Sequence, residues 1–176
     1  MIRVICGPMF ARKSEAQREI VERYLYRRRH VHLFRPDTDT RPEVATHGGA
    51  MLVPGKYLKI EKVPTGASPV VSANTKLVVF DEAQFFGDAL IHWVKEYDAA
   101  RFNVLVSCLD RDSNGDPFGA IKELLFIADI VNKRHAVCVR CGRNATRTQR
   151  IVERTGLILI GEADKYEARC AACHHP

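Results

Sequence analysis

The chain of 176 residues has no apolar run of about 18 residues or more, so no membrane-spanning helix is expected. It opens directly into a strand pattern, without the basic stretch and apolar core of a secretory leader, which makes the cytoplasm the expected compartment. It shows no internal repeat and no low-complexity tract, so neither a repeat array nor a biased tail is expected. What remains suits one domain with a small appendage, and 46% hydrophobic residues can fill an ordinary core. The net charge of +6 fits either attraction to a polyanion, such as a nucleotide or nucleic acid, or a solvated basic surface. The cluster Arg27-Arg28-Arg29-His30 reads as a helix end, where cations face the negative pole of the helix dipole.

Strands alternate with helices over most of the chain. Strands are expected at 2–6, 31–34, 77–80 and 103–109, and helices at 13–29, 87–100 and 118–129. A last strand is expected within 130–139. Residues 35–50 carry Pro36, Pro42, Gly48 and Gly49 and read as loop, while 51–63 and 69–73 hold short β-branched pieces. The alternation predicts an α/β fold over residues 1–136, with a parallel sheet flanked by helices and joined by right-handed crossovers. From Val137 the pattern changes, and residues 137–176 are expected to form a small metal-stapled unit.

The run RVICGPMFARKSE, residues 3–15, sets an apolar strand before Gly7 and a helix start at Lys13-Ser14. A phosphate-binding loop requires this order, because backbone N–H groups at a helix N-terminus meet phosphate charge without mobile side chains. Lys13 would reach the outer phosphates and the Ser14 hydroxyl would bind Mg²⁺. The template G-x-x-x-x-G-K-[ST] has a second glycine where this chain has Arg12. Arg12 there costs on the order of 1–2 kcal/mol if its backbone is left-handed. A second half-motif follows at LVVF-Asp81-Glu82, an apolar strand expected beside the phosphate-loop strand. Its Asp81 would assist Mg²⁺ and its Glu82 could take a proton from an attacking hydroxyl.

Six cysteines are present. Cys6 and Cys108 lie in apolar runs and read as core thiols. Cys138-x-x-Cys141 and Cys170-x-x-Cys173 offer four thiolates, enough to close a tetrahedral, structural Zn²⁺ site with no open position for water. The 28 residues between the pairs exceed the usual spacing of about 15–20, which implies an extra loop held at both ends. His174 and His175 read as tail.

These motifs together resemble the zinc-containing, cytosolic type of thymidine kinase over nearly the whole chain. GPMFARKS resembles the family's GPMFSGKS, and Asp39-Thr40-Arg41 with Thr46-His47 its DTR and TH segments. DEAQFF at 81–86, Leu109-Asp110, Pro117-Phe118-Gly119 and GEADKYEARC at 161–170 are similar to further blocks. The resemblance implies transfer of phosphate from ATP, with Mg²⁺, to the 5′-hydroxyl of a pyrimidine deoxynucleoside, a salvage step toward DNA precursors. Glu82 would be the base, with Arg41 and Lys13 completing the catalytic set. The nucleotide would be held by Gly7, Pro8, Met9, Phe10, Ala11, Arg12, Lys13, Ser14, Asp81 and Gln84. Asp39 would contact the sugar, with Met9, Leu109 and Tyr166 around the base and Phe85 also among the substrate-binding residues. A lasso over the nucleoside would read the base edge near Leu157, Leu159 and Gly161. The resemblance also implies a homo-tetramer.

Two departures stand out. Besides Arg12, Ser113 occupies a position where the family places Phe beside the base, and losing an aromatic stack costs roughly 1–3 kcal/mol of base affinity. Asn114-Gly115 reads as a turn. The residues therefore also admit a catalytically impaired homologue that still binds nucleotide or nucleoside. A zinc-containing ATPase gripping nucleic acid through Arg140, Arg143, Arg147 and Arg150 is a further alternative.

Overall fold

The computed structural model describes residues 1–39, 44–45, 51–52, 54–64, 67–152 and 165–175. The chain begins β1 (Ile2–Cys6), α1 (Lys13–Tyr26) and β2 (His30–Pro36). A small antiparallel pair follows, β3 (Val44–Ala45) and β4 (Met51–Leu52). Then come β5 (Leu58–Val63), β6 (Thr75–Phe80), α2 (Ala89–Ala99), β7 (Asn103–Cys108), α3 (Ile121–Ile127) and β8 (Ile130–Lys133). Four short strands close it: β9 (Ala136–Val137), β10 (Asn144–Ala145), β11 (Arg147–Arg150) and β12 (Tyr166–Arg169).

Six strands form one sheet in the order β5-β2-β6-β7-β1-β8, with every neighbouring pair parallel. Alternation of side chains along each strand divides the core in two. Val4, Cys6, Phe34, Val78, Phe80 and Val106 face α2 and α3, where they pack with Leu90, Trp93, Val94 and Leu124. Ile5, Leu33, Val79 and Leu105 face α1 and pack with Ala16 and Val21. Phe80 is the hub of the first layer, with the Phe34, Phe86, Trp93 and Tyr97 rings 5.6–6.3 Å away. Cys6 and Cys108 are Cα partners across β1 and β7, and both are fully buried. Burial pushes the Cys6 thiol up to about 11 and raises Cys108 as well, as expected of unreactive core thiols.

The structure corrects several boundaries. The strand before Asp81 and Glu82 does not adjoin β1, because β7 lies between them. Val104–Cys108 are buried on both faces, so β7 takes a central slot. All three strands point the same way, which still brings their C-terminal ends to one edge. Helix α1 stops at Tyr26 because Arg28 adopts φ 54° and turns the chain into β2. Helix α3 begins only at Ile121, after Gly119 at φ 52°. Residues 69–73 form no strand; the Pro69 carbonyl accepts the Tyr97 hydroxyl instead. The expected loop 35–50 holds the end of β2 and the strand β3. The expected final strand splits: β8 joins the sheet, whereas β9 pairs with β10 outside it.

Candidate active site

The chain turns sharply where β1 ends. Gly7 sits at φ 143°, and a Cβ there would lie 2.3 Å from the Arg134 carbonyl oxygen, so only glycine fits. Phe10 and Arg12 also take positive φ, 64° and 56°, conformations that disfavour side chains. Arg12 caps α1 without a side-chain hydrogen bond. The missing second glycine is therefore replaced by an exposed arginine in the same left-handed geometry. Lys13 and Ser14 then occupy the first helical turn, where N–H groups lack helical partners. Lys13 folds back on the loop, its Nζ donating to the Pro8 carbonyl at 2.8 Å. Burial lowers its pKa, while the charges of Glu82, Cys108, Asp81 and Asp110 oppose the shift.

Asp81 is 1% exposed at the end of β6. Glu82 follows at φ 49°, ψ 44°, a strained backbone of the kind that surrounding structure must hold. Gln84 supplies part of that hold: its Nε2 donates to Glu82 Oε2 at 2.7 Å, and its Oε1 accepts the Leu109 N–H at 3.0 Å. Gln84, expected at the nucleotide, thus ties Glu82 to the loop after β7. Asp110, which the sequence reading leaves without a role, is buried and pairs with Lys133 Nζ at 2.7 Å. Asp39 lies against Arg35, with Nη2 2.7 Å from its carboxylate and both side chains buried. Arg35 went unassigned because a lone arginine at the end of an apolar strand carries no spacing signal. Phe85 meets the Phe118 ring edge-to-face at 5.8 Å. Tyr166 is half-buried on β12, opposite Arg150.

Two residues of the loop make contacts with the cysteine unit. The Met9 N–H donates to Thr148 Oγ1 at 3.1 Å, and the Ala11 side chain is 2% exposed in a cluster with Ala136, Cys138, Ala145, Ala168 and Cys170. Arg41, Leu157, Leu159 and Gly161, with Thr40, Thr46 and His47, lie outside the described residues.

Cys138, Cys141, Cys170 and Cys173 bring their sulfurs within 4.8 Å of one another. The Cys141–Cys170 pair is 3.6 Å apart, close to the roughly 3.8 Å edge of a tetrahedron with ~2.3 Å metal–sulfur bonds. Arg143 Nε donates to Cys141 Sγ at 3.4 Å and pulls that thiol down to about 6, which favours a thiolate ligand. The four sulfurs thus fit a zinc ion. His174 and His175 are more than tail. His174 Nε2 lies 3.0 Å from the Ser113 carbonyl, and His175 exchanges hydrogen bonds with the Gln149 amide. The Asn114-Gly115 turn is present, with Asp112 accepting the Asn114 and Asp116 N–H groups. Of the arginines named for gripping nucleic acid, Arg143 donates to Cys141, Arg147 donates to Thr146, Arg140 approaches Glu167, and Arg150 is buried on β11.

Among known proteins, a family model described as thymidine kinase matches residues 1–174. A thymidine kinase of Mycoplasma genitalium is 39% identical over 180 residues, spanning 97% of this chain and 81% of that protein. The match runs through both the parallel sheet and the cysteine unit, so the chain as a whole belongs to the thymidine kinase family.

Proposed function

We propose that the protein transfers the γ-phosphoryl group of ATP to the 5′-hydroxyl of thymidine. The observation that carries this reading is that the glycine-initiated loop leading to Lys13, after β1, and the Asp81-Glu82 pair, after β6, leave the same edge of the parallel sheet. The 5′-oxygen would attack the γ-phosphorus as the bond to the β-phosphate breaks, and its proton would pass to Glu82. Gln84 would keep the Glu82 carboxylate aimed, since one end of its amide is fixed on the Leu109 backbone. Lys13, released from the Pro8 carbonyl, would meet the outer phosphates, with loop N–H groups of 7–14 around them. Ser14 and Asp81 would hold Mg²⁺, which when bound neutralises charge on the phosphates. Arg41 would steady the transferring group.

Asp39, Phe85, Leu109, Tyr166 and the segment containing Leu157, Leu159 and Gly161 would bind the nucleoside. The cysteine unit, residues 137–176, would carry a structural zinc beside an ATP-binding unit of residues 1–136. Self-association would use the outer edge of β8, where Ile130–Lys133 are all exposed next to Phe126, 89% exposed. Six cysteines without a disulfide suit the cytoplasm, and among the described residues no helix is long and apolar enough to cross a membrane.

The test is phosphate transfer to thymidine, deoxyuridine and deoxycytidine by wild type and by Glu82→Gln. Wild type should phosphorylate thymidine, and the variant should lose about 10²–10⁴-fold in kcat while still binding ATP. Full turnover by Glu82→Gln would remove Glu82 from the base role. No product from any pyrimidine would leave a binding homologue.

A further inference from the structure

The loop of residues 7–14 is unusual in holding two non-glycine residues, Phe10 and Arg12, at positive φ. Such a shape persists only where neighbours over-determine it. The neighbours are identifiable. Arg134, the residue directly after β8, touches the loop at three places. Its N–H donates to the Cys6 carbonyl at 2.7 Å, where the loop begins. Its own carbonyl packs on Gly7 so closely that no side chain fits. Its Nε donates to the Ala11 carbonyl at 3.0 Å, one residue before the strained Arg12. From the far side, Thr148 Oγ1 on β11 accepts the Met9 N–H at 3.1 Å. Thr148 is 4% exposed, so its side chain is fixed within the unit. Ala11 itself is buried with Cys138 and Cys170.

We propose that Arg134 and Thr148 are positioning residues of the phosphate loop, holding it in its nucleotide-binding shape before ATP arrives. Both belong to the segments that lead into and build the cysteine unit, so that unit forms a wall of the ATP site as well as an anchor for the nucleoside flap. An empty loop free to collapse would have to be reordered by ATP, and that ordering would subtract from affinity. The two bonds remove the cost in advance. The inference rests on reading residues 7–14 as the phosphate loop.

Arg134→Met removes the Nε donor while keeping much of the aliphatic stem, and Thr148→Val removes only the hydroxyl acceptor. Each full-length variant is measured for binding of a non-hydrolysable ATP analogue by calorimetry, for thymidine binding, and for kcat and both KM values. The expected result is a loss of about three- to tenfold in ATP-analogue affinity per variant, with a matching rise in ATP KM. Thymidine affinity and kcat at saturating ATP should stay near wild type. General loosening would instead lower thymidine affinity and kcat alongside ATP affinity, and that pattern overturns the proposal. Unchanged ATP-analogue affinity in both variants also overturns it. Lys13→Met separates the two layers: retained ATP-analogue affinity there would refute the phosphate-loop reading itself, whereas lost affinity with intact Arg134→Met and Thr148→Val binding would refute only the positioning role.

Discussion

The parallel sheet and the cysteine unit are ordered by different forces. In the sheet, Val4, Ile5, Phe34, Phe80 and Val106 are wholly buried and large aromatic rings fill the layer beneath α2. Among the described residues of the cysteine unit the buried apolar groups are Ala136, Ala145 and Ala168, joined by Cys138, Cys170 and the borrowed Ala11. These small groups bury less surface per residue than the large side chains of the sheet. Directional bonds carry the load there: the reciprocal Gln149–His175 pair, Arg169 Nη1 donating to the Cys173 carbonyl at 3.1 Å, and four convergent sulfurs. A fold element with a large core tolerates loss of any one polar contact. An element whose described core is small depends more on each, and on any metal that its four sulfurs hold.

Truncation at the sheet's hub tests the first half of this contrast most severely. Phe80→Ala should cost about 3–5 kcal/mol, read from the urea midpoint at constant m. A cost under 1 kcal/mol would mean the rings around it repack freely.

The second half is tested by Cys170→Ser or by chelation. Bound zinc should fall to none, and amides of 136–150 and 165–175 should lose protection in hydrogen exchange while those of β1, β6 and β7 keep theirs. Because Thr148 and Ala11 link the unit to the phosphate loop, ATP-analogue affinity should drop in the same samples. The lasso picture alone predicts loss of nucleoside binding first. Equal loss of protection across the sheet would dissolve the contrast altogether.

A smaller effect is expected at the seam between the two regions. Arg12→Gly places a permissive residue at φ 56° and should raise stability by about 1 kcal/mol. A destabilised variant would show that the arginine side chain has contacts outweighing its backbone strain.

The smallest effect belongs to the sheet alone. His32 is buried on β2, and burial first, then the Lys59 charge, lowers its pKa below the ordinary 6.5, against the opposing pull of Glu61. A depressed pKa means the unfolded chain binds the proton more readily. The stability carried by neutral His32 is therefore complete above pH 6.5 and is lost as pH falls below it. Glu61, lowered chiefly by its hydrogen bond with Lys59, adds a loss in the same direction below 4.5. Urea midpoints between pH 8 and 5 should decline for wild type and flatten for His32→Gln. An equal decline in both would assign it to other groups.

Much of the sheet was legible because its evidence is local. Runs such as LVVF and NVLVSC can only be buried strands, and Gly7, Lys13 and the cysteine pairs announce themselves by spacing. Helix ends were misjudged where a positive φ at Arg28 or Gly119 decided the boundary, since residue type states that weakly. At the site, Glu82 is marked by its motif, whereas the hydrogen bonds around it are not. The Gln84 amide spans Glu82 and the Leu109 backbone, a contact that no spacing states. Asp110 pairs with Lys133 on another strand, and Arg35, although its partner Asp39 is four residues on, ends an apolar strand with no motif around it.

By itself the sequence determined the α/β alternation, the strand–loop–helix order around Gly7 and Lys13, the carboxylate pair and the four-sulfur set, because each is written in periodicity or short spacing. Only the tertiary structure decided that β7 separates β6 from β1, that Arg134 reaches back across 123 residues to Ala11, and that Thr148 meets Met9 across 139. Those contacts join a side chain to a distant backbone group, and a backbone group looks alike at every position. No pattern along the chain can mark the partner until packing brings the two together.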